Sequence, residues 1–130
     1  MAGPTTLLLG DISFLHDAGG LAAAGDVPLT VVVLNNGGGR IFEQLPVARA
    51  ASTRAALEHW TTPHALDLSH AAALHGHRFV CALGPAALRE AMAGAQAGGG
   101  CTVIEVRVDP ASATDFYARL PARVEAELAR

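Results

Sequence analysis

The sequence has 130 residues, of which 51% are hydrophobic and 16% are charged, and its mean hydropathy is +0.32. This length fits one domain, and the composition is typical of a folded domain with a buried core, which excludes a disordered tail. The net charge of −3 gives no electrostatic basis for binding nucleic acid or an anionic membrane surface. We therefore expect a globular protein with no nucleic-acid or membrane partner.

The cysteine content and the apolar runs predict a cellular location. Cys81 and Cys101 lie far apart and are too few for the disulfide framework of a small secreted domain. The longest apolar runs are too short to cross a bilayer. Residues 1–9 carry no basic segment ahead of their apolar stretch, unlike a secretory signal peptide. These features predict a cytoplasmic protein with two reduced thiols.

Four short runs of apolar and β-branched residues predict the strands of a sheet. They are residues 5–9, 29–34, 78–83 and 102–108. The first two runs are continuously apolar rather than alternating, which is the pattern of strands buried on both faces. We therefore expect both strands to lie inside the sheet.

Helical segments are predicted between these strands and after the last one. They are residues 16–24, 52–60, 68–75, 85–95 and 112–129. Gly19 and Gly20 weaken the first helix, Asp67 can cap the third, and Pro121 is expected to interrupt the last. The alternation of strand and helix predicts an α/β fold with an open, mostly parallel sheet and helices on both faces.

Polar side chains stand directly after the first two predicted strands. Asp11 follows the first strand and Asn36 follows the second. Either one alone would be read as a turn residue, but the carboxyl ends of adjacent parallel strands converge at one edge of the sheet. Carboxylate and amide oxygens suit magnesium or manganese and are poor ligands for zinc. The pair therefore predicts a metal site, without choosing between Mg²⁺ and Mn²⁺.

The residues around this pair fit a diphosphate group. Gly10 allows the backbone to approach a ligand closely, and the Ser13 hydroxyl can donate to a phosphate oxygen. A helix predicted to begin near Asp17 would direct free backbone N–H groups to the same place. The glycines at 37–39 allow a backbone carbonyl to turn inward as a further metal ligand.

Two blocks of sequence resemble the signature of thiamine-diphosphate enzymes, which begins with Gly-Asp and closes with Asn-Asn. They are Gly-Asp-Ile-Ser-Phe-Leu-His-Asp at 10–17 and Asn-Asn-Gly-Gly-Gly-Arg-Ile-Phe at 35–42, followed by Leu45-Pro46. Within that family the blocks are similar to the menaquinone-pathway synthases that form 2-succinyl-5-enolpyruvyl-6-hydroxy-3-cyclohexene-1-carboxylate. Thr-Pro-His at 62–64 and His-Ala-Ala-Ala at 70–73 are similar too, so the resemblance covers essentially the whole chain.

The resemblance implies a role for each matching residue of the cofactor site. Asp11 and Asn36 would bind Mg²⁺ or Mn²⁺ through their side chains, and Gly38 would bind it through its carbonyl. Gly10 and Ser13 would contact the diphosphate. The implied fold is the thiamine-diphosphate-binding fold, truncated at its N-terminal side.

The resemblance also implies the substrates. Ile41 would touch the cofactor, and Ile41 and Phe42 would line the pocket where substrate meets it. The implied reaction removes the carboxyl group of 2-oxoglutarate and adds the remaining succinyl-semialdehyde unit to isochorismate. Another thiamine-diphosphate enzyme, such as an acetolactate-synthase-like or decarboxylase-like one, is an alternative, and so is a non-catalytic binding or assembly module of the same fold.

Enzymes of this family bind the cofactor between two different domains, and only one is represented here. No segment resembles the pyrimidine-binding domain that provides the activating glutamate. We therefore expect residues 1–130 to be a single, partial C-terminal domain that is inactive alone and works in a homo-oligomer. Apolar surface around Ile41, Phe42 and Leu45 would be exposed without the neighbouring domains.

Several other polar residues receive weaker predictions. His64 follows Pro63 in a loop and could face the pocket. His70, His75 and His77 lack the cysteine or carboxylate partners of a zinc site. Glu105, within the last predicted strand, is interpreted as structural.

Overall fold

The computed structural model describes residues 3–129 and contains one four-stranded sheet. Its strands are β1 Thr5–Gly10, β2 Leu29–Asn35, β3 Arg78–Ala82 and β4 Cys101–Arg107. Every neighbouring pair is parallel, and the order across the sheet is β1-β2-β4-β3. The predicted α/β fold with an open parallel sheet is confirmed, and the central strands are β2 and β4.

Within the described residues, five α-helices accompany the sheet. They are α1 Asp11–His16, α2 Arg54–Thr61, α3 Ser69–Leu74, α4 Pro85–Gly98 and α5 Pro110–Leu128. Short 3₁₀ helices span Ala18–Ala23, Arg40–Gln44, Pro46–Arg49 and Ala51–Thr53. The predicted helices at 52–60, 68–75 and 85–95 are confirmed within a few residues, which is the usual accuracy of helix boundaries.

The core lies on both faces of the two central strands. On one face, Val31, Val33 and Val103 pack against Phe14, Leu21, Leu68 and Ala72 from the helical segments. On the other face, Ile104 and Ala82 pack against Ala95 of α4. Alternate residues of β4 therefore serve opposite cores, as the two-residue period of a strand requires. The prediction of helices on both faces is confirmed.

The prediction that the first strand is buried on both faces is wrong. β1 pairs only with β2, so it forms an edge of the sheet, and the Leu8 side chain is 63% exposed. A continuously apolar run does not distinguish a central strand from an edge strand, because its pattern contains no polar face in either case. Leu7 is exposed as well, which leaves apolar surface along this edge.

Two helix predictions also need correction. The first helix begins at Asp11 rather than near residue 16, and Ala18–Ala23 is a 3₁₀ helix instead of the predicted α-helix. Gly19 and Gly20 disfavour the α conformation, and the Asp17 carboxylate accepts the Gly20 N–H. Helix α5 continues through Pro121 without the expected interruption. Because α5 is exposed there, water can bond the carbonyl that proline leaves unpaired.

No helix within residues 3–129 combines the length and apolar character needed to span a bilayer.

Candidate functional site

The Asp11 carboxylate is the buried centre of the predicted site. Asp11 is the first residue of α1, immediately after β1, and is only 2% exposed. Its Oδ1 accepts the Ile12 N–H at 2.8 Å, and its Oδ2 accepts the Gly38 N–H at 2.8 Å. The Nε2 atom of His64 also lies 3.0 Å from Oδ2. These contacts offset the cost of burying a charge.

The contacts of His64 define which ring nitrogen carries its proton. The Leu66 N–H donates to Nδ1 at 3.3 Å, so Nδ1 is an acceptor. The neutral ring then carries its hydrogen on Nε2, which donates to Asp11 Oδ2. His64 is therefore held at both nitrogens, and its side chain is only 8% exposed. His64 therefore belongs to the Asp11 cluster.

The glycine loop (Gly37, Gly38 and Gly39) joins β2 to the Asp11 cluster. Gly38 has a φ of +138°, and a Cβ there would lie 2.5 Å from the Thr61 carbonyl oxygen at the end of α2. The Gly39 N–H donates to that same oxygen at 2.6 Å. Only glycine fits at position 38, because both the backbone conformation and the lack of space exclude a side chain. The loop is thus packed directly against the end of α2.

Asn36 stands between the end of β2 and the glycine loop. Asn36 and Ile41 line a cavity of about 240 Å³ with Gln44 and with Tyr117 of α5. Among residues 3–129 the Asn36 side chain makes no hydrogen bond, so its amide is free to accept a ligand. The structure therefore joins Gly38 to the Asp11 carboxylate by a hydrogen bond, and within residues 3–129 no hydrogen bond joins the Asn36 side chain to it.

The residues predicted to contact the diphosphate and the substrate are accessible. A Cβ at Gly10 would meet no atom within 4 Å, so the space over this backbone is open. Ser13 is exposed and lines a cavity of about 420 Å³ beside β1. Ile41 is 68% exposed, and Phe42 and Leu45 are exposed too, as expected for that segment. The helix that begins near Asp17 is the 3₁₀ helix Ala18–Ala23, and the Asp17 carboxylate itself accepts the N–H of Gly20.

The donor set at this edge of the sheet fits a hard cation. A carboxylate offers about four acceptor positions, and the contacts described above occupy three of those of Asp11. The Gly38 carbonyl accepts the Arg40 N–H at 2.9 Å and keeps a second lone pair. Oxygen donors of this kind suit Mg²⁺ or Mn²⁺. Within residues 3–129 no three His, Cys, Asp or Glu side chains gather to hold a metal ion, so such a site depends on amide and carbonyl oxygens.

Sequence reasoning missed a buried network behind the glycine loop. Glu105 of β4 is 1% exposed, and its Oε1 accepts the Asn35 Nδ2–H at 2.6 Å. Its Oε2 accepts from the Arg107 Nε at 3.2 Å. Asn35 Oδ1 in turn accepts the Gly37 N–H at 3.0 Å. One signal was available in the sequence, since Glu105 is the single charged residue in the run Thr-Val-Ile-Glu-Val at 102–106.

The two cysteines sit in environments that suppress thiolate formation. Burial raises the pKa of the Cys101 thiol. Burial, followed by the neighbouring Glu105 carboxylate, raises the pKa of the Cys81 thiol, although Cys81 is exposed. Both thiols therefore stay protonated at neutral pH, and the reactive thiolate is scarce.

We expect Cys81 to react with a chromogenic disulfide at neutral pH several-fold more slowly than a small free thiol. Glu105→Gln should accelerate labelling of Cys81, because it removes one cause of the raised pKa and leaves the burial. Cys101 should react only after unfolding, and mass spectrometry of the labelled chain assigns each site. Labelling of Cys81 at the rate of a free thiol would contradict this account.

Comparison with known proteins identifies chains that are similar to this one. Residues 2–106 match the family model described as thiamine pyrophosphate enzyme, C-terminal TPP binding domain. A 2-succinyl-5-enolpyruvyl-6-hydroxy-3-cyclohexene-1-carboxylate synthase of Myxococcus xanthus is 46% identical over 124 residues, covering 94% of this chain. The synthase of the same name from Salinibacter ruber is 42% identical over 123 residues, covering 95%. This chain spans only 21% and 20% of the length of those two relatives.

A solved structure supports the fold. The thiamine diphosphate-dependent 4-hydroxybenzoylformate decarboxylase of Rhodococcus jostii RHA1 superposes with a TM-score of 0.67 and 24% sequence identity. The superposition covers 82% of this chain and 20% of that one. At this identity the likeness concerns the fold alone.

Proposed function

Since this chain belongs to the family of thiamine pyrophosphate (thiamine diphosphate) enzymes, as a C-terminal TPP-binding domain, we propose that it holds the diphosphate and the metal ion of a thiamine-diphosphate-dependent synthase. In this proposal residues 1–130 are one partial C-terminal domain. The activity belongs to the complete enzyme, and the chain alone is inactive.

One observation carries this proposal: the buried Asp11 carboxylate binds the Gly38 N–H of the glycine loop. The contact ties the carboxyl end of β1 to the segment that follows its parallel neighbour β2. Ligands of open α/β sheets bind at this edge. The open space over Gly10 lies at the same strand end.

Each site residue has a defined task in this proposal. Asp11, Asn36 and the Gly38 carbonyl bind Mg²⁺ or Mn²⁺, while Gly10 and Ser13 contact the diphosphate. Ile41 and Phe42 present apolar surface to the reacting end of the cofactor, where they exclude water from the substrate. When bound, thiamine diphosphate supplies the electron sink that stabilises negative charge after decarboxylation. The residues of this chain supply binding, orientation and a fixed electrostatic environment.

The sequence identity to relatives that align with most of this chain supports a particular reaction for the complete enzyme. We propose that it decarboxylates 2-oxoglutarate and adds the succinyl-semialdehyde unit to isochorismate in menaquinone biosynthesis, as a transferase. The relatives named as synthases are 46% and 42% identical to this chain, whereas the superposed decarboxylase is 24% identical. Assay of the complete enzyme with 2-oxoglutarate plus isochorismate, and with pyruvate or 4-hydroxybenzoylformate, separates the synthase from other thiamine-diphosphate enzymes.

The proposal includes partners that complete the site. A pyrimidine-binding domain, in the same or another chain, provides the second half of the cofactor pocket, and the enzyme is a homo-oligomer. The exposed apolar side chains of Ile41, Phe42 and Leu45 support this, because such surface favours association. The free thiols of Cys81 and Cys101 support a cytoplasmic location, since disulfides are rare there.

Calorimetric titration of thiamine diphosphate into the purified chain, with and without Mg²⁺, tests the proposal. We expect heat of binding that requires Mg²⁺ and that is lost in Asn36→Ala, whose side chain makes no hydrogen bond within residues 3–129. Gln44→Ala is the matched control, because it shortens an amide side chain in the same cavity and should bind as the wild type does. Absence of heat from the folded wild-type chain would contradict cofactor binding by this chain alone. Equal binding by wild type and Asn36→Ala would remove Asn36 from the metal site.

A further inference from the structure

We propose that Glu105 is a positioning residue for the cofactor site and that it acts through the side chain of Asn35. The inference rests on the proposed function, because it concerns the loop that would present Asn36 and Gly38 to the metal ion. In this view Glu105 touches neither metal nor cofactor. It fixes the conformation of residues 35–38 from behind.

The position of Glu105 in the sheet places its carboxylate behind the glycine loop. In β4 it pairs with Val33 of β2 on one side and with Cys81 of β3 on the other. Its side chain lies on the same sheet face as Val103, two residues earlier, which belongs to the apolar core. A carboxylate at such a position is stable only with polar partners. Toward the start of β4 its neighbour on this face is the apolar Val103, so the carboxylate depends on the polar side chains of Asn35 and Arg107 at the strand ends.

The two side chains that donate hydrogen bonds to Glu105, those of Arg107 and Asn35, differ in exposure and in their position relative to the glycine loop. The Arg107 side chain is 64% exposed, so its charge is solvated whether or not Glu105 is present. Asn35 ends β2, and its amide lies between Glu105 and the glycine loop. The 2.6 Å contact from Asn35 Nδ2 is also the shorter of the two bonds to the carboxylate. The buried carboxylate therefore acts mainly on Asn35.

The carboxylate determines which way the Asn35 amide points. An ionised carboxylate only accepts hydrogen bonds, so the Asn35 NH₂ group must face Glu105. The Asn35 oxygen is then directed at the Gly37 N–H, which donates to it at 3.0 Å. The next backbone N–H, that of Gly38, donates to Asp11. Asn36 is thus held between two anchored residues, one secured through Glu105 and the other through Asp11.

Loss of the Glu105 acceptor would release the amide. Asn35 could then rotate, and the Gly37 N–H would lose its fixed partner. The segment carrying Asn36 and the Gly38 carbonyl would become mobile, while the strands beneath keep their own ladder of backbone bonds. This differs from a general structural role, which would weaken the strands and the loop together.

Amide hydrogen exchange, followed by NMR in the absence of cofactor, tests this inference in three variants. Glu105→Met keeps the length of the side chain and removes the acceptor, so exchange at Gly37 and Gly38 should be about tenfold faster, with Val103 unchanged. Glu105→Gln keeps an acceptor for Asn35 and should restore slow exchange. Arg107→Ala removes the other partner and should leave loop exchange within about twofold of wild type.

A second variant, Asn35→Ala, tests the inference if Glu105→Met does not fold. Asn35→Ala removes the connecting amide and leaves the Glu105–Arg107 pair, and it should accelerate exchange at Gly37 by a similar factor. The inference is overturned if Gly37 and Gly38 exchange as in wild type in a folded Glu105→Met or Asn35→Ala chain. It is also overturned if Val103 accelerates by the same factor, because that is the signature of general destabilisation.

The exchange experiment can support or overturn the role of Glu105 whether or not the proposed function is correct. The exchange pattern is measured without cofactor, so it judges the positioning role by itself. When the wild-type chain binds thiamine diphosphate, the Mg²⁺ concentration needed for half-maximal binding should rise in Glu105→Met and not in Glu105→Gln. A wild-type chain that binds no cofactor but shows the expected exchange pattern would contradict the proposed function and leave the role of Glu105 in ordering the loop intact.

Discussion

Replacement of Gly38 by alanine is expected to abolish Mg²⁺-dependent binding of thiamine diphosphate and to destabilise the fold. A Cβ at this position would lie 2.5 Å from the Thr61 carbonyl oxygen and 3.2 Å from the Thr62 carbonyl oxygen. Both obstacles are backbone atoms, so no side chain can rotate to make room. The φ of +138° is strained for alanine and by itself costs about 1–3 kcal/mol. The loop must shift, which also pulls the Gly38 N–H from Asp11.

Alanine substitutions at two other glycines separate the effect of backbone strain from the effect of steric collision. Gly76 has a φ of +70°, and a Cβ there would meet no atom within 4 Å, so Gly76→Ala imposes strain without a collision. It should cost about 1–2 kcal/mol and leave cofactor binding intact. Gly10→Ala meets neither strain nor a collision in the chain and should fold normally, but its methyl group would occupy the space proposed for the diphosphate.

Urea unfolding measures the loss of stability in these variants, and calorimetric titration measures the loss of cofactor binding. The expected order of unfolding free energies is wild type and Gly10→Ala highest, Gly76→Ala lower and Gly38→Ala lowest. Only Gly10→Ala and Gly38→Ala should lose cofactor binding. A Gly38→Ala chain with wild-type stability and wild-type binding would show that the tight packing of the glycine loop against α2 is not needed for the site.

The pattern of the fold was predictable because it depends on local sequence. The β-branched run at 29–34 and the run at 102–108 became the two central strands, and the glycines at 37–39 ended the first of them. The prediction that β1 is buried on both faces was wrong, because the burial of a strand depends on whether it lies at the centre or the edge of the sheet. The position of a strand in the sheet is set by its pairing with segments distant along the chain and not by its own composition.

The candidate site was predictable where parallel strands bring residues to one edge, and unpredictable where loops fold back. Asp11 and Gly38 meet because β1 and β2 are neighbours. The contact of His64 with Asp11 depends on the path of the segment between β2 and α3, for which the sequence has no periodic pattern. Asn36 lines a cavity with Ile41 and Gln44, and its place beside Asp11 in a metal site stays a prediction.

Removal of the Asp11 carboxylate is expected to have the second large effect, on stability as well as on binding. Asp11→Ala leaves the Ile12 and Gly38 N–H groups and the His64 Nε2–H without their acceptor in a buried place. Unpaired buried groups of this kind cost about 1–3 kcal/mol each, so the three of them predict a loss of at least about 3 kcal/mol. His64→Ala should cost less, because Asp11 then keeps two backbone donors.

A double-mutant cycle between Asp11 and His64 isolates their contact. Because the two side chains are 3% and 8% exposed, solvent screens the interaction little. The destabilisation of the double variant should be smaller than the sum of the single variants by about 1.5–3 kcal/mol, the value of a hydrogen bond to a charged group. Urea unfolding of the four chains measures this coupling. A coupling near zero would mean that His64 packs beside Asp11 without stabilising its charge.

Asp11→Asn distinguishes the role of Asp11 in the fold from its role toward the metal ion. The amide keeps the shape and one acceptor oxygen, so it should destabilise the chain less than alanine does, although its NH₂ group must face at least one of the existing donors. It lacks the negative charge that a divalent cation requires. Mg²⁺ with thiamine diphosphate should therefore raise the melting temperature of the wild type and leave that of Asp11→Asn unchanged. A ligand-dependent rise of equal size in both chains would place the metal ion elsewhere, while the hydrogen bonds of Asp11 would still explain why a carboxylate is buried at the end of β1.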